Sequence, residues 1–139
     1  MSFIPIKRKY KKEQKGRSLN KIKKLIGLDY LKCCSYGLKS LDFGRLNSKH
    51  IESMYQSINK IIKKNGRVVL KVFAHTPISK KPIEVRMGKG KGNIDHWVAK
   101  IKSGTILCEI ETNMNSLALK ALKIAQFRLP IKTKIFRYI

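Results

Sequence analysis

The sequence predicts one domain of mixed helices and strands, and three observations carry that expectation. Ile51, Met54, Tyr55, Ile58, Ile61 and Ile62 recur at the spacing of one helical face. "RVVLKVF" (residues 67–73) follows at once as a β-branched run with the period of a strand. Further on, "IDHWVAKIK" and "TILCEIE" have the length and composition of two strands, and Lys102-Ser103-Gly104 between them is a short connection with the glycine a hairpin needs. A chain of 139 residues fits one domain, burying roughly two-thirds of the surface its unfolded form exposes.

Taken in order, residues 1–24 form an arm. They carry ten cations, Lys7, Arg8, Lys9, Lys11, Lys12, Lys15, Arg17, Lys21, Lys23 and Lys24, against the single acid Glu13. Pro5 and Gly16 punctuate the stretch, and no apolar stripe runs through its first seventeen residues. Such a segment orders on a polyanion, with Phe3 and Tyr10 available to stack on bases or pack in a crevice. A cleavable transit peptide would share the charge, but the stretch is short of serine and has no amphipathic pattern. Residues 25–139 are expected to make the single folded domain.

"LIGLDYLKCCSY" (residues 25–36) is compatible with a short helix or with a strand. "YGLKSL" has a strand's length, and "DFGRL" after it has the composition of a turn, with Arg45 beyond Gly44 as a candidate phosphate contact. Asn47 is placed to cap the first helix. Lys60, Lys63 and Lys64 enrich its last turn, and Gly66 stands where a left-handed cap is expected. In the strand that follows, Val68, Leu70 and Val72 point one way and Val69 and Lys71 the other. "AHTPISKKP" is expected to be a proline-bearing connection, in which His75 has no carboxylate or cysteine neighbour at ligand spacing. "IEV" then leads towards a glycine-rich loop. Trp97, in a strand, is expected to be core or half-buried rather than a base stacker. Glu109 and Glu111 share a strand face, where they balance lysines of a neighbouring strand rather than perform acid–base work. Asn115 can cap a second helix over residues 116–128, with Leu117, Ala121, Leu122 and Ala125 inward and Pro130 marking its end. "IKTKIFRYI" closes the chain as a strand.

The loop is Arg86-Met87-Gly88-Lys89-Gly90-Lys91-Gly92-Asn93. Glycines at alternating positions leave the backbone uncovered, and Arg86, Lys89 and Lys91 set cations between them. That combination suits close contact with phosphates. It is not a P-loop, which needs Gly-x-x-x-x-Gly-Lys followed by Ser or Thr, nor a dinucleotide fingerprint, which needs glycine where Asn93 stands.

Composition says what kind of phosphate to expect. The 32 Lys and Arg against 8 Asp and Glu give a formal charge of +24, and a compact body with that charge calls for a polyanion around it. The basic residues are spread among 42% apolar residues, so the charge coats a folded body rather than filling a disordered tail. No window approaches the length of a membrane-spanning apolar helix, and the chain is expected to bind no membrane. Of the three cysteines, Cys33 and Cys34 are adjacent, which suits neither a disulfide between them nor metal spacing. All three are expected to be reduced and structural. With eight acids scattered singly and His50, His75 and His96 on different elements, no catalytic constellation forms. Neither cofactor nor metal is expected, nor is a homo-oligomer. Lysine outnumbers arginine 25 to 7 and isoleucine reaches 18, the bias of an adenine- and thymine-rich genome such as an organelle's.

Four stretches carry a resemblance. "PIKRKYKKEQKGR" (residues 5–17), "YGLKSLDFGRLNSKHIES" (residues 36–53), "KPIEVRMGKGKGNIDHWVAKIKSGTILCEI" (residues 81–110) and "LPIKT" (residues 129–133) together resemble the large-subunit ribosomal protein L-sixteen family, universal across ribosomes. Residues 18–34 depart from it, being lysine- and leucine-rich where the family tends to be glycine-rich and polar. The resemblance implies an α+β fold with two helices packed on a mainly antiparallel sheet, a basic N-terminal arm and a long glycine-basic loop. It implies a non-enzymatic constituent of the large ribosomal subunit, seated on large-subunit rRNA near the 5S region beside neighbouring ribosomal proteins. Its loop, Arg86 to Gly92 without a change, would be aimed at the peptidyl-transferase centre and aminoacyl-site tRNA. The arginine matching Arg86 is hydroxylated in some bacteria. Candidate rRNA contacts are Lys7, Arg8, Lys9, Lys11, Lys12, Lys15, Arg17, Arg45 and Lys81, with Arg86, Met87, Gly88, Lys89, Gly90, Lys91, Gly92 and Asn93 near rRNA or tRNA. If the arm is the family's own, it leaves no room for an import signal; with the codon bias, this favours a mitochondrial gene, with plastid and bacterial cytoplasm as alternatives.

Overall fold

The computed structural model describes residues 4–5, 8–14 and 34–137. Within them the order is β1 (Tyr36–Ser40), β2 (Gly44–Asn47), α1 (Ser48–Ile62), β3 (Gly66–Leu70), β4 (Thr76–Lys80), β5 (Asn93–Ile101), β6 (Ile106–Thr112), α2 (Asn115–Phe127) and β7 (Thr133–Arg137). The strands form two sheets, β3-β6-β1-β7 and β2-β5-β4, and every pairing is antiparallel. The α+β expectation therefore holds, with two helices on antiparallel sheets.

The expected β5–β6 hairpin is absent, because the two strands belong to different sheets. Gly104, at φ 90°, does make the chain turn, but its neighbour is the β1–β2 turn. Gly104 N–H donates to Ser40 O (2.8 Å), Ser40 N–H to Thr105 O (2.9 Å) and Ser103 Oγ to Leu41 O (2.5 Å). The backbone groups that would have closed a hairpin are thus used to stitch two sheet-to-sheet crossings together.

Two further stretches expected to be irregular are strands. Gly44, Arg45 and Leu46 of the expected turn "DFGRL" lie with Asn47 in β2, paired with β5 from Gly44↔Ile101 to Asn47↔Val98. Thr76–Lys80 of the expected connection is β4. Its Pro77 has no N–H to donate, but β4 lies at a sheet edge, where that loss is tolerated.

The helices form as the apolar spacing requires. Ile51, Met54, Ile58 and Ile62 of α1 are buried, and α1 packs on β2, β3, β5 and α2, so it spans both sheets. Asn47 is the N-cap residue, yet its side chain makes no cap bond. Nor does Gly66 serve as a left-handed cap: Lys63 takes positive φ (51°), and Gly66 opens β3. A Cβ at Gly66 would meet the carbonyl of Glu111 and approach Thr112 Cβ to 2.9 Å, so close strand packing is what requires glycine there. In α2, Ala118 rather than Leu117 is buried, together with Ala121, Leu122 and Ala125. This helix begins at Asn115 itself, with Met114 as its cap.

The core joins these faces to Tyr36, Leu38, Leu46, Ile101, Leu107, Cys108 and Ile110. Cys34 and Cys108 are buried and outside any disulfide, as the sequence suggested. Burial pushes the Cys108 thiol up to about 12, against a lowering hydrogen bond at the Leu38 backbone. Glu109 is sealed in β6 and pairs with Lys71 at 3.3 Å, just past β3 on the neighbouring strand. The expected balancing lysine is thereby identified. Glu111 is exposed.

Candidate nucleic-acid interface

The β4–β5 hairpin carries the glycine-basic loop. Lys80 pairs with Asn93 at its base, so Asn93 is the first residue of β5 rather than part of the tip. The segment between them, residues 81–92, is longer than the sequence motif, and 83–85 ("IEV") are exposed residues of the loop itself. Gly88, Lys89 and Gly90 take positive φ in succession (93°, 52° and 91°). A left-handed run of this kind keeps the backbone out of any strand ladder. Nothing lies within 4 Å of a Cβ built at Gly88 or Gly90; their glycine requirement is one of dihedral angle. At Gly92 a Cβ would stand 2.6 Å from Lys80 O, so that glycine lets the two strands close. Arg86, Met87 and Lys89 are exposed, whereas Lys81 folds back, donating from Nζ to Gly88 O.

The described part of the arm, residues 8–14, lies against this same hairpin, contrary to the expectation of an arm ordered only on a polyanion. Arg8 donates to His75 O (2.9 Å) and its guanidinium sits 5.7 Å from the centre of the Trp97 ring. Trp97 is half-buried, as expected. Arg8 also pairs with Glu13 at 3.2 Å, and Glu13 reaches Lys100 at 3.6 Å. Lys12 Nζ donates to Lys91 O (2.8 Å), and Lys91 Nζ donates in return to Glu13 O. Lys91 is therefore a fastening between arm and loop as well as a tip cation.

Glu13 has an electrostatic reason to be there. Arg45 on β2 is the direct cross-strand partner of Lys100 on β5, a like-charge pair that is unfavourable by itself. Partial burial raises the Glu13 carboxyl, but the Arg8 hydrogen bond and the charges of Lys100 and Arg8 more than offset it, leaving its pKa below the ordinary value of 4.5. Of the residues singled out from sequence, the structure gathers Arg8, Lys12, Lys91 and, through Lys100, Arg45. Lys9 stacks on Tyr10 (5.6 Å) and Lys11 is exposed. Lys7, Lys15 and Arg17, with Phe3, Cys33 and most of residues 25–36, lie outside the described residues. Glu13, His75, Trp97 and Lys100 were missed as partners of the arm; the signal available was that Glu13 is the arm's one acid.

The chemistry of this surface is cation display on exposed backbone. Among the described residues no three His, Cys, Asp or Glu side chains gather as a metal site, and no helix is long and apolar enough to cross a membrane. A family model described as ribosomal protein L16p/L10e matches residues 5–136, all but four residues at one end of the chain and three at the other. Members of that family are structural, non-enzymatic constituents of the large ribosomal subunit and bind its rRNA among other ribosomal proteins. The fold, the basic arm and the glycine loop agree with a match of that extent, and this chain belongs to the ribosomal protein L16p/L10e family.

Proposed function

We propose that within the large subunit the loop Arg86–Asn93 is directed towards the peptidyl-transferase centre and aminoacyl-site tRNA, supporting translation and late subunit assembly. Lys7, Arg8, Lys9, Lys11, Lys12, Lys15, Arg17, Arg45 and Lys81 then neutralise rRNA phosphates, and the protein works in the mitochondrion that encodes it. The observation that carries the loop assignment is the left-handed run Gly88-Lys89-Gly90 flanked by exposed Arg86 and Met87. Exposed backbone between exposed cations suits contact with phosphates and has no use inside the fold.

The test is the variant R86A/K89A, which spares the Lys91 fastening, incorporated into large subunits. Isolated folding should be unchanged, while aminoacyl-site tRNA binding or late subunit maturation should fall, by about tenfold for two lost phosphate contacts. Wild-type assembly together with wild-type tRNA affinity would sink the assignment of this loop as the functional tip. Adding K91A should bring a further loss and also loosen the arm.

A further inference from the structure

The loop displays more than charge. Ile83 is 95% exposed, Met87 99% and Val85 53%, three large aliphatic side chains within five residues. Single exposed apolar residues are common on any surface, but a cluster of them on one exposed loop marks a contact. Phosphate binding gives no use for them. The same segment holds Lys80, Lys81, Arg86, Lys89 and Lys91 against the one acid Glu84, so the covering surface must be both anionic and able to bury hydrocarbon. Duplex RNA is anionic but keeps its base faces stacked away; RNA whose bases are unstacked offers both at once.

We propose that Ile83, Val85 and Met87 pack against unstacked bases or riboses of an unpaired large-subunit rRNA segment, with the loop cations holding the flanking phosphates. The occupant is rRNA rather than tRNA because apolar surface this exposed needs permanent cover, and a ligand that comes and goes would bare it in every cycle. This rests on the loop facing RNA, and goes beyond it by assigning a cation-independent part of the contact.

The experiment titrates full-length wild type, I83S/M87S and R86A/K89A into large subunits lacking this protein, at several salt concentrations. Ile83 and Met87 are almost wholly exposed, so circular dichroism should report an unchanged fold. For I83S/M87S, affinity should drop about tenfold to a hundredfold, by the same factor at every salt, because buried hydrocarbon is lost and no counterion release changes. For R86A/K89A the slope of log affinity on log salt should become shallower. Wild-type affinity for I83S/M87S overturns the proposal while leaving the cation assignment intact; an unchanged slope for R86A/K89A sinks the phosphate role instead. A photoreactive diazirine amino acid at position 87 identifies the occupant. Crosslinks to unpaired rRNA nucleotides in subunits without tRNA support the proposal. Crosslinks to a protein, only to added tRNA, or to nothing overturn it.

Discussion

In the sheet β3-β6-β1-β7, Leu38, Leu107, Cys108 and Ile110 are fully buried in the same core as the apolar faces of both helices. In the sheet β2-β5-β4 the hairpin's loop is exposed, with Ile83 and Met87 in the open, and the described part of a basic arm is fastened to that hairpin by hydrogen bonds and ion pairs. The first sheet is held by removal of hydrocarbon from water, a strong and salt-indifferent force. The outer part of the second is held by backbone geometry and exposed charge, which are weak in water and sensitive to salt. One region supplies a fixed body, and the other supplies exposed groups held in place only weakly.

The largest expected effect tests the buried side. Ile110 is fully buried and sits opposite both Tyr36 and Val68, so Ile110→Ala should cost about 2–5 kcal/mol in urea unfolding. A cost below about 1 kcal/mol would mean that this sheet is not the stable half. Next come two glycines required for the same steric reason in different halves. Gly66→Ala should lose about 1–3 kcal/mol of global stability, since its Cβ meets the β6 backbone. Gly92→Ala, obstructed by Lys80 O, should instead raise hydrogen exchange in β4 and the loop while leaving the unfolding midpoint nearly in place. Equal global losses would erase the distinction between the halves.

A thiol sharpens the comparison through pH. Cys108 has its pKa raised to about 12 from 9.0, so its burial contributes stability that is fully present below pH 9 and is lost as pH rises towards 12. Alkylation of Cys108 should accordingly follow global unfolding and not local opening. The smallest effect belongs to the arm. Glu13→Gln should cost under about 0.5 kcal/mol of stability, an exposed ion pair's contribution, yet speed proteolysis within residues 8–14. Because the Glu13 pKa is depressed, the fastening should be present above pH 4.5 and fail as pH falls below it. Raised salt should weaken it as well, whereas a salt-insensitive arm would point to apolar anchoring.

How much of this was legible in the sequence follows the same divide. The α1 stripe could be read because helical burial leaves a period, and the strands of the core because β-branched residues alternate. Sheet membership could not: Lys102-Ser103-Gly104 has the chemistry of a turn, but whether the next strand folds back or crosses over depends on the β1–β2 turn some sixty residues earlier. β4 was hidden by Pro77, which argues against a strand unless the edge position is known. The loop cations were legible as residues, since charge and glycine need no partner to be recognised. Their fastening to the arm was not, because Lys91 and Glu13 are 78 residues apart and only folding brings them together.

The stitching of β1 between its neighbours sets the order in which this protein can be made. Tyr36 lies opposite Ile110 on one side and Arg137 on the other, so the strand at the centre of the main sheet leaves the translating ribosome first and finds its second partner about a hundred residues later. At roughly 5–20 residues per second of synthesis, that interval is about 5–20 s. Until β6 (Ile106–Thr112) emerges both edges of β1 stay unpaired, and one edge stays so until β7 (Thr133–Arg137) follows, on a nascent chain whose charge attracts any nearby RNA. Protection of that strand, whether by a chaperone or by early docking of the basic arm on nucleic acid, is a requirement that the topology places on the cell.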